Sequence, residues 1–149
     1  MRWITTDMDQ YLQAKEYIDC AIVPIVPVEF ASSSKTVASG EYVQALAYEM
    51  ERQYKGRVLL LPAYTYLKSA DLVTKKAELL DWKHYLIEQG LTHVFMLTTE
   101  AEWRQFDGEL EGSLLWVPSL PFHAMKDEDK RDILQQQAES VSSIFTASW

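Results

Sequence analysis

The chain has 149 residues and 17.2 kDa, with a formal charge of −8 and a pI near 4.8. That size suits one domain, residues 1–149, with a sizeable core, and 48% hydrophobic with 24% charged residues suit a soluble globular chain rather than a disordered one. The negative charge disfavours phosphodiester backbones and anionic lipid, so neither nucleic acid nor membrane is an expected partner.

Residues 1–5 leave open an edge strand through Trp3 and Ile4. A first helix is expected over residues 7–18, capped by Thr6 or Asp7, with Met8, Tyr11, Leu12 and Ile18 on one face. The run AIVPIVPV, residues 21–28, has no polar alternation and reads as a strand buried on both faces, as in a parallel sheet. Pro24 and Pro27 cannot donate to a ladder, which predicts that the regular strand ends near residues 23–25. A second helix is expected over residues 41–54, stopped by Gly56, and a second strand over residues 57–63.

A long helix follows over residues 71–89, with Leu79, Trp82 and Leu86 on one side, and then a third strand over residues 93–99. A short helical piece, residues 100–106, and an acidic DGELEG loop lead to a fourth strand over residues 113–118. The last helix, from residue 127 to about residue 149, opens on an acidic turn that suits the helix dipole and has Leu134, Ala138, Val141 and Phe145 as its apolar face. Strands alternating with helices in this way predict an α/β fold: a three-layer α/β/α arrangement on a mostly parallel sheet of about four strands.

Open α/β sheets bind ligands outside the carboxyl ends of their strands. The polar residues expected there include Glu29 after the first strand, Tyr66, Ser69 and Asp71 after the second, Glu100 after the third, and His123 after the fourth. The serine-rich stretch Ser32, Ser33, Ser34, Lys35 and Thr36 could hold an anion through hydroxyls and amides or could be a solvated loop; it lacks the glycines of a P-loop, and GxGxxG is absent. His84 and His93 fall away from the strand exits, so the imidazoles make a poor metal set. Cys20, the single cysteine, excludes an internal disulfide and begins a strand, and no GxSxG elbow is present. Neither a metal nor another cofactor is expected.

The stretch AIVPIVPVEFAS resembles the strand motif ALLPVGSTEQHG of the creatininase (creatinine amidohydrolase) family, metal-dependent amide hydrolases on an α/β sheet. Glu29 falls on that family's glutamate, and with one residue inserted Glu41 falls on its metal-bridging aspartate. LLPAYTYLKSADL is similar to the family's PxxYGxSxEH segment, with Pro62, Tyr66, Ser69 and Asp71 matching in type and spacing. The family's histidines are replaced by Ala31 and Leu72, and LTTEAEW stands in place of its histidine-bearing NGHGGN loop. The resemblance, over residues 17–106, implies the same scaffold with the metal site and its activated water lost. Over most of its length the chain is also similar to the YpiF type of small uncharacterised proteins of low-GC Gram-positive bacteria, which supports the fold and a cytoplasmic address.

Two functions are expected on these grounds. In the first, a non-catalytic cytoplasmic protein binds a protein partner of unknown identity, with Phe122, His123 and Trp149 as the surface, and self-assembly into a homo-oligomer stands beside it. In the second, Glu29, Glu41, Tyr66, Ser69, Asp71 and Glu100 ring one pocket that binds a small ligand, or hydrolyses it without metal through a carboxylate of raised pKa. A plain structural role for Glu29, capping a helix or pairing with Lys35, is the third reading.

Overall fold

The computed structural model describes residues 1–31 and 33–147, without the side chains of Ser33 and Phe145. Helix α1 (Thr5–Gln13) leads through a 3-10 turn to β1 (Cys20–Val28). Then come α2 (Ser33–Gln53), β2 (Val58–Leu60), β3 (Tyr64–Leu67), α3 (Leu72–Glu88), β4 (His93–Thr98), β5 (Leu114–Trp116) and α4 (Asp127–Thr146). The sheet has five strands in the order β2–β1–β4–β5, with β3 also against β1, and every pairing is parallel. The three-layer α/β reading therefore stands.

Alternation along the strands divides the core between two faces. Ala21, Val23 and Ile25 of β1, with Val94 and Met96 of β4, meet Tyr11 of α1, Leu79 and Leu86 of α3, and Trp103. Cys20 and Ile22, with Phe95 and Leu97, meet Tyr42, Val43, Leu46 and Met50 of α2 and Ala138 and Val141 of α4. Helix α2 crosses β1 closely at Gly40, where a Cβ would come within 3.0 Å of Val26 Cγ1.

The boundaries correct several expectations. β1 runs through both prolines to Val28. The Ile22 carbonyl accepts from Leu61 N–H at 3.0 Å and the Val28 carbonyl from Lys68 N–H at 3.0 Å, so even-numbered residues of β1 face β2 and β3. Pro24 thus faces the gap between β2 and β3, and Pro27 faces β4 beyond its last paired residue, Leu97. Neither ring displaces a bond that a neighbour offers. The expected second strand, residues 57–63, shortens to β2 at Val58–Leu60, and beyond Pro62 the chain forms β3, Tyr64–Leu67, where a polar strand exit holding Tyr66 was expected.

At the amino end, Arg2 forms one bridge with Leu60 rather than an edge strand. The Met1 carbonyl accepts from Leu60 N–H at 2.7 Å, and the Met1 ammonium pairs with Glu51 at 2.7 Å. Helix α1 begins at Thr5, and Asp7 accepts from Arg2 N–H instead of capping from outside. The inward stripe of α3 is Leu79, Lys83 and Leu86, leaving Trp82 half-exposed. Buried Lys83 donates to the Leu110 carbonyl at 3.1 Å, which ties the loop before β5 to this face.

Candidate functional site

The chain passes from β1 to β2 on one side, then crosses through α3 to β4 on the other side of β1. At such a reversal the connections diverge and leave a crevice at the carboxyl edge of the sheet. A crevice of about 760 Å³ lies there, lined by Val28 to Ala31, by Tyr66 to Ala70 with Leu72, and by Glu102. Phe30 is 89% exposed at this crevice.

The expected site residues divide. Glu29, Tyr66 and Ser69 line the crevice. Glu100 reaches it through an ion pair with Lys68, 3.6 Å apart. Glu41 lies on the exposed side of α2 and borders a smaller depression of about 250 Å³, which Glu29 and Thr36 also line. Asp71 caps α3 instead, accepting from Val73 N–H at 3.1 Å and from the Thr74 hydroxyl at 3.3 Å. The expectation of one ring of six residues fails here, because α2 and the start of α3 take Glu41 and Asp71 away from the crevice.

Glu29 accepts from the Thr36 hydroxyl in the first turn of α2, at 3.1 Å. A carboxylate at the end of a buried strand therefore secures the following helix. Among the described residues no three His, Cys, Asp or Glu side chains are grouped to hold an ion.

Tyr66 is the most built element of the crevice. It is 3% exposed, packs edge-on against Trp103 with ring centroids 5.5 Å apart, and its hydroxyl accepts from Trp103 Nε1–H at 3.0 Å. Its own proton has no acceptor among the described residues. Burial pushes its pKa up to about 12, against the opposing bond from Trp103, with the nearby Glu100 and Glu102 charges adding to the rise. The phenol is thus a hydrogen-bond donor throughout the neutral range. Glu102 was expected at the exit of the third strand, though not in the ring of six, whereas Trp103 was missed because nothing local marks which residues of a short helical piece face inward.

The expected partner surface also changes. Phe122 is half-buried, packs against Tyr42 at 5.7 Å and lies under the Lys130 ammonium, so it is a packing residue. His123 is exposed beside Ser34, Lys35 and Ser119 in a depression of about 480 Å³. Lys35 and Thr36 lie in the first turns of α2 rather than in a loop, whereas Ser32 and Trp149 fall outside the described residues.

A second concavity was not foreseen. Between α1 and α3 runs an apolar groove of about 320 Å³, floored by Leu59, Leu61, Leu86 and Leu91 and walled by Trp3, Met8, Tyr11, Leu12, Trp82 and Tyr85. Trp3 is 55%, Leu12 62%, Trp82 48% and Tyr85 58% exposed. The signal was present as spacing: residues 8, 11 and 12 share one side of α1, and Trp82 and Tyr85 form an i, i+3 pair beside the buried stripe of α3.

Fold and crevice define a doubly wound α/β protein with a ligand-sized opening at its strand ends. The chain belongs to the family described as "Protein of unknown function (DUF2487)", whose model matches residues 9–149. It is 37% identical over 150 aligned residues to "Uncharacterized protein YpiF" of Bacillus subtilis (strain 168), covering 100% of this chain and 98% of the relative. No solved structure matches it. No helix among the described residues is long and apolar enough to cross a membrane.

Proposed function

We propose that this protein works by binding another protein, and that the groove between α1 and α3 is the docking surface. One observation carries the reading: four large apolar side chains, Trp3, Leu12, Trp82 and Tyr85, stand exposed around an apolar floor. Contiguous exposed apolar surface of this kind marks interaction sites, and tryptophan and tyrosine are the residues that most often dominate binding energy. The reading assigns no catalytic step, takes the cytoplasm as the address, and sees a creatininase-like scaffold whose carboxylates now serve structure. Glu29 securing α2 and Asp71 capping α3 support that last part.

The test is a photo-crosslinking residue at Tyr85, compared with one at exposed Lys126, in the cells that make the protein. A protein adduct from position 85 that is absent from position 126 is expected. Equal adducts, or none from position 85, would remove the groove from the reading.

A second reading has its own observation. The buried Tyr66 hydroxyl, with its proton uncommitted at the lining of the crevice, supports a small ligand that presents an oxygen acceptor there. Titrating small carboxylates and amides against the labelled protein should move the amide signals of residues 28–31 and 66–70, and Tyr66→Phe should abolish the response. Identical shifts in the variant would sink this second reading.

A further inference from the structure

If the α1–α3 groove docks a protein, as proposed above, the chemistry around it narrows the occupant. Its walls are two helices, and its floor offers side chains from β2, α3 and the turn before β4. An extended peptide would need a free sheet edge for backbone pairing. The edge of β2 beside the groove is already engaged: Leu60 N–H donates to the Met1 carbonyl, and the Met1 ammonium donates to the Val58 carbonyl. A segment entering here must satisfy its own backbone, which a helix does.

The rims carry a sign. On α1, Asp9 lies three residues before Leu12; on α3, Asp81 and Glu88 lie four before and three after Tyr85. Residues at these spacings are neighbours on a helix surface, and all three carboxylates are exposed. Asp81 shares a shallow extension of the groove with Trp82 and Tyr85. Lys15, in the 3-10 turn after α1, is the single charged residue among those lining the groove. The groove is therefore apolar along its floor with carboxylates on both banks.

We infer that this groove receives an amphipathic helix of a partner protein whose apolar stripe is flanked by lysine or arginine. Apolar side chains at i, i+3 or i+4, and i+7 would lie along the floor between Trp82 and Leu12, and the flanking cations would meet Asp9, Asp81 and Glu88. The same charges argue against two other occupants. A second copy placed groove to groove would set carboxylate against carboxylate in a chain of charge −8, and an anionic lipid surface would meet the same repulsion.

The test uses the full chain and two synthetic helices of about 18 residues, roughly 27 Å long. Both have the same leucine stripe and no tryptophan; one has lysine and arginine flanks and the other glutamate flanks. Binding is read by fluorescence of Trp3 and Trp82 and by calorimetry, with circular dichroism to confirm that each variant is folded. The basic helix should bind, more weakly as salt is added. Trp82→Ala should weaken it at least about tenfold, with Tyr85→Ala as the replacement should the first variant fail to fold. The double variant Asp81→Lys, Glu88→Lys should weaken the basic helix and strengthen the acidic one.

Equal binding of both helices, sensitive to Trp82→Ala but indifferent to the charge reversal, overturns the basic partner and leaves the groove as a docking surface. Absence of binding by either helix overturns the inference, and the crosslinking experiment then judges the groove independently. A dimer in light scattering that Trp82→Ala dissolves makes a second copy the occupant and overturns the inference as well.

Discussion

The crevice at the strand ends and the groove between α1 and α3 differ in how far the fold completes them. In the crevice the polar groups have been given partners: Glu29 holds Thr36, Lys68 pairs with Glu100, and the Tyr66 oxygen takes the indole proton of Trp103. In the groove, about half of Trp3, Leu12, Trp82 and Tyr85 has no protein against it. At the position where α/β folds bind ligands the polar groups are thus largely paired and Phe30 alone among the aromatic side chains stands out, at 89% exposed, while the groove leaves three aromatic rings and Leu12 uncovered together. The difference teaches that position in a fold and availability for binding are separate properties, and that residual exposure measures the second.

The largest effect that could break this contrast lies beneath the crevice. Trp103 is fully buried between Tyr66 and Phe106, so Trp103→Ala should destabilise the protein by about 3–5 kcal/mol in chemical denaturation. A loss below about 1 kcal/mol would mean that the floor of the crevice is loose.

Alkaline pH sharpens the same point. The folded-state pKa of Tyr66, about 12, lies above its ordinary value of 10.0, so the folded protein keeps a proton that the unfolded chain loses between those values. Stability attached to this group is complete below pH 10 and disappears as pH rises through about 12. Each unit is about 1.4 kcal/mol, so the full effect is roughly 2–3 kcal/mol. Tyr42, pushed up to about 12 by burial on the opposite face, adds its own share. Unfolding free energy should therefore fall steeply between pH 10 and 12, and Tyr66→Phe should make the fall shallower. An unchanged slope in the variant would show that water reaches the phenol.

Smaller still is the cap. Asp71→Ala should cost about 1 kcal/mol and fray the first turn of α3 in hydrogen exchange, since Asp71 serves helix rather than ligand. Enhanced or abolished ligand response at the crevice in this variant, with unchanged stability, would return Asp71 to the site.

At the bottom of the scale, Trp82→Ala should change stability by no more than about 0.5 kcal/mol, because the ring is half in water already. A cost comparable to that of Trp103 would erase the contrast between the two regions, making the groove wall part of the core.

How legible the molecule was depends on the range over which each feature is specified. The three layers follow from residues close in the chain: the unbroken apolar runs of β1 and β4, and helical spacing such as Val43, Leu46 and Met50. Capping by Asp71 is just as local, needing only Val73 and Thr74, yet family-like spacing drew attention to it as a ligand. The two prolines of β1 show the opposite case. Their effect depended on which neighbour each one faces and where that neighbour ends, and neither fact is written near residues 24 or 27.

What the sequence determined by itself was the alternation of buried strands and amphipathic helices, because those patterns repeat every two or 3.6 residues along the chain. The tertiary structure alone decided that Tyr66 meets Trp103, that Glu41 leaves the crevice, and that the aromatic pair on α3 finds α1 instead of a covering element. Those outcomes depend on crossover paths and on the angles at which helices settle on a twisted sheet. Such angles are set by the sum of packing over both faces, which no single stretch of residues encodes.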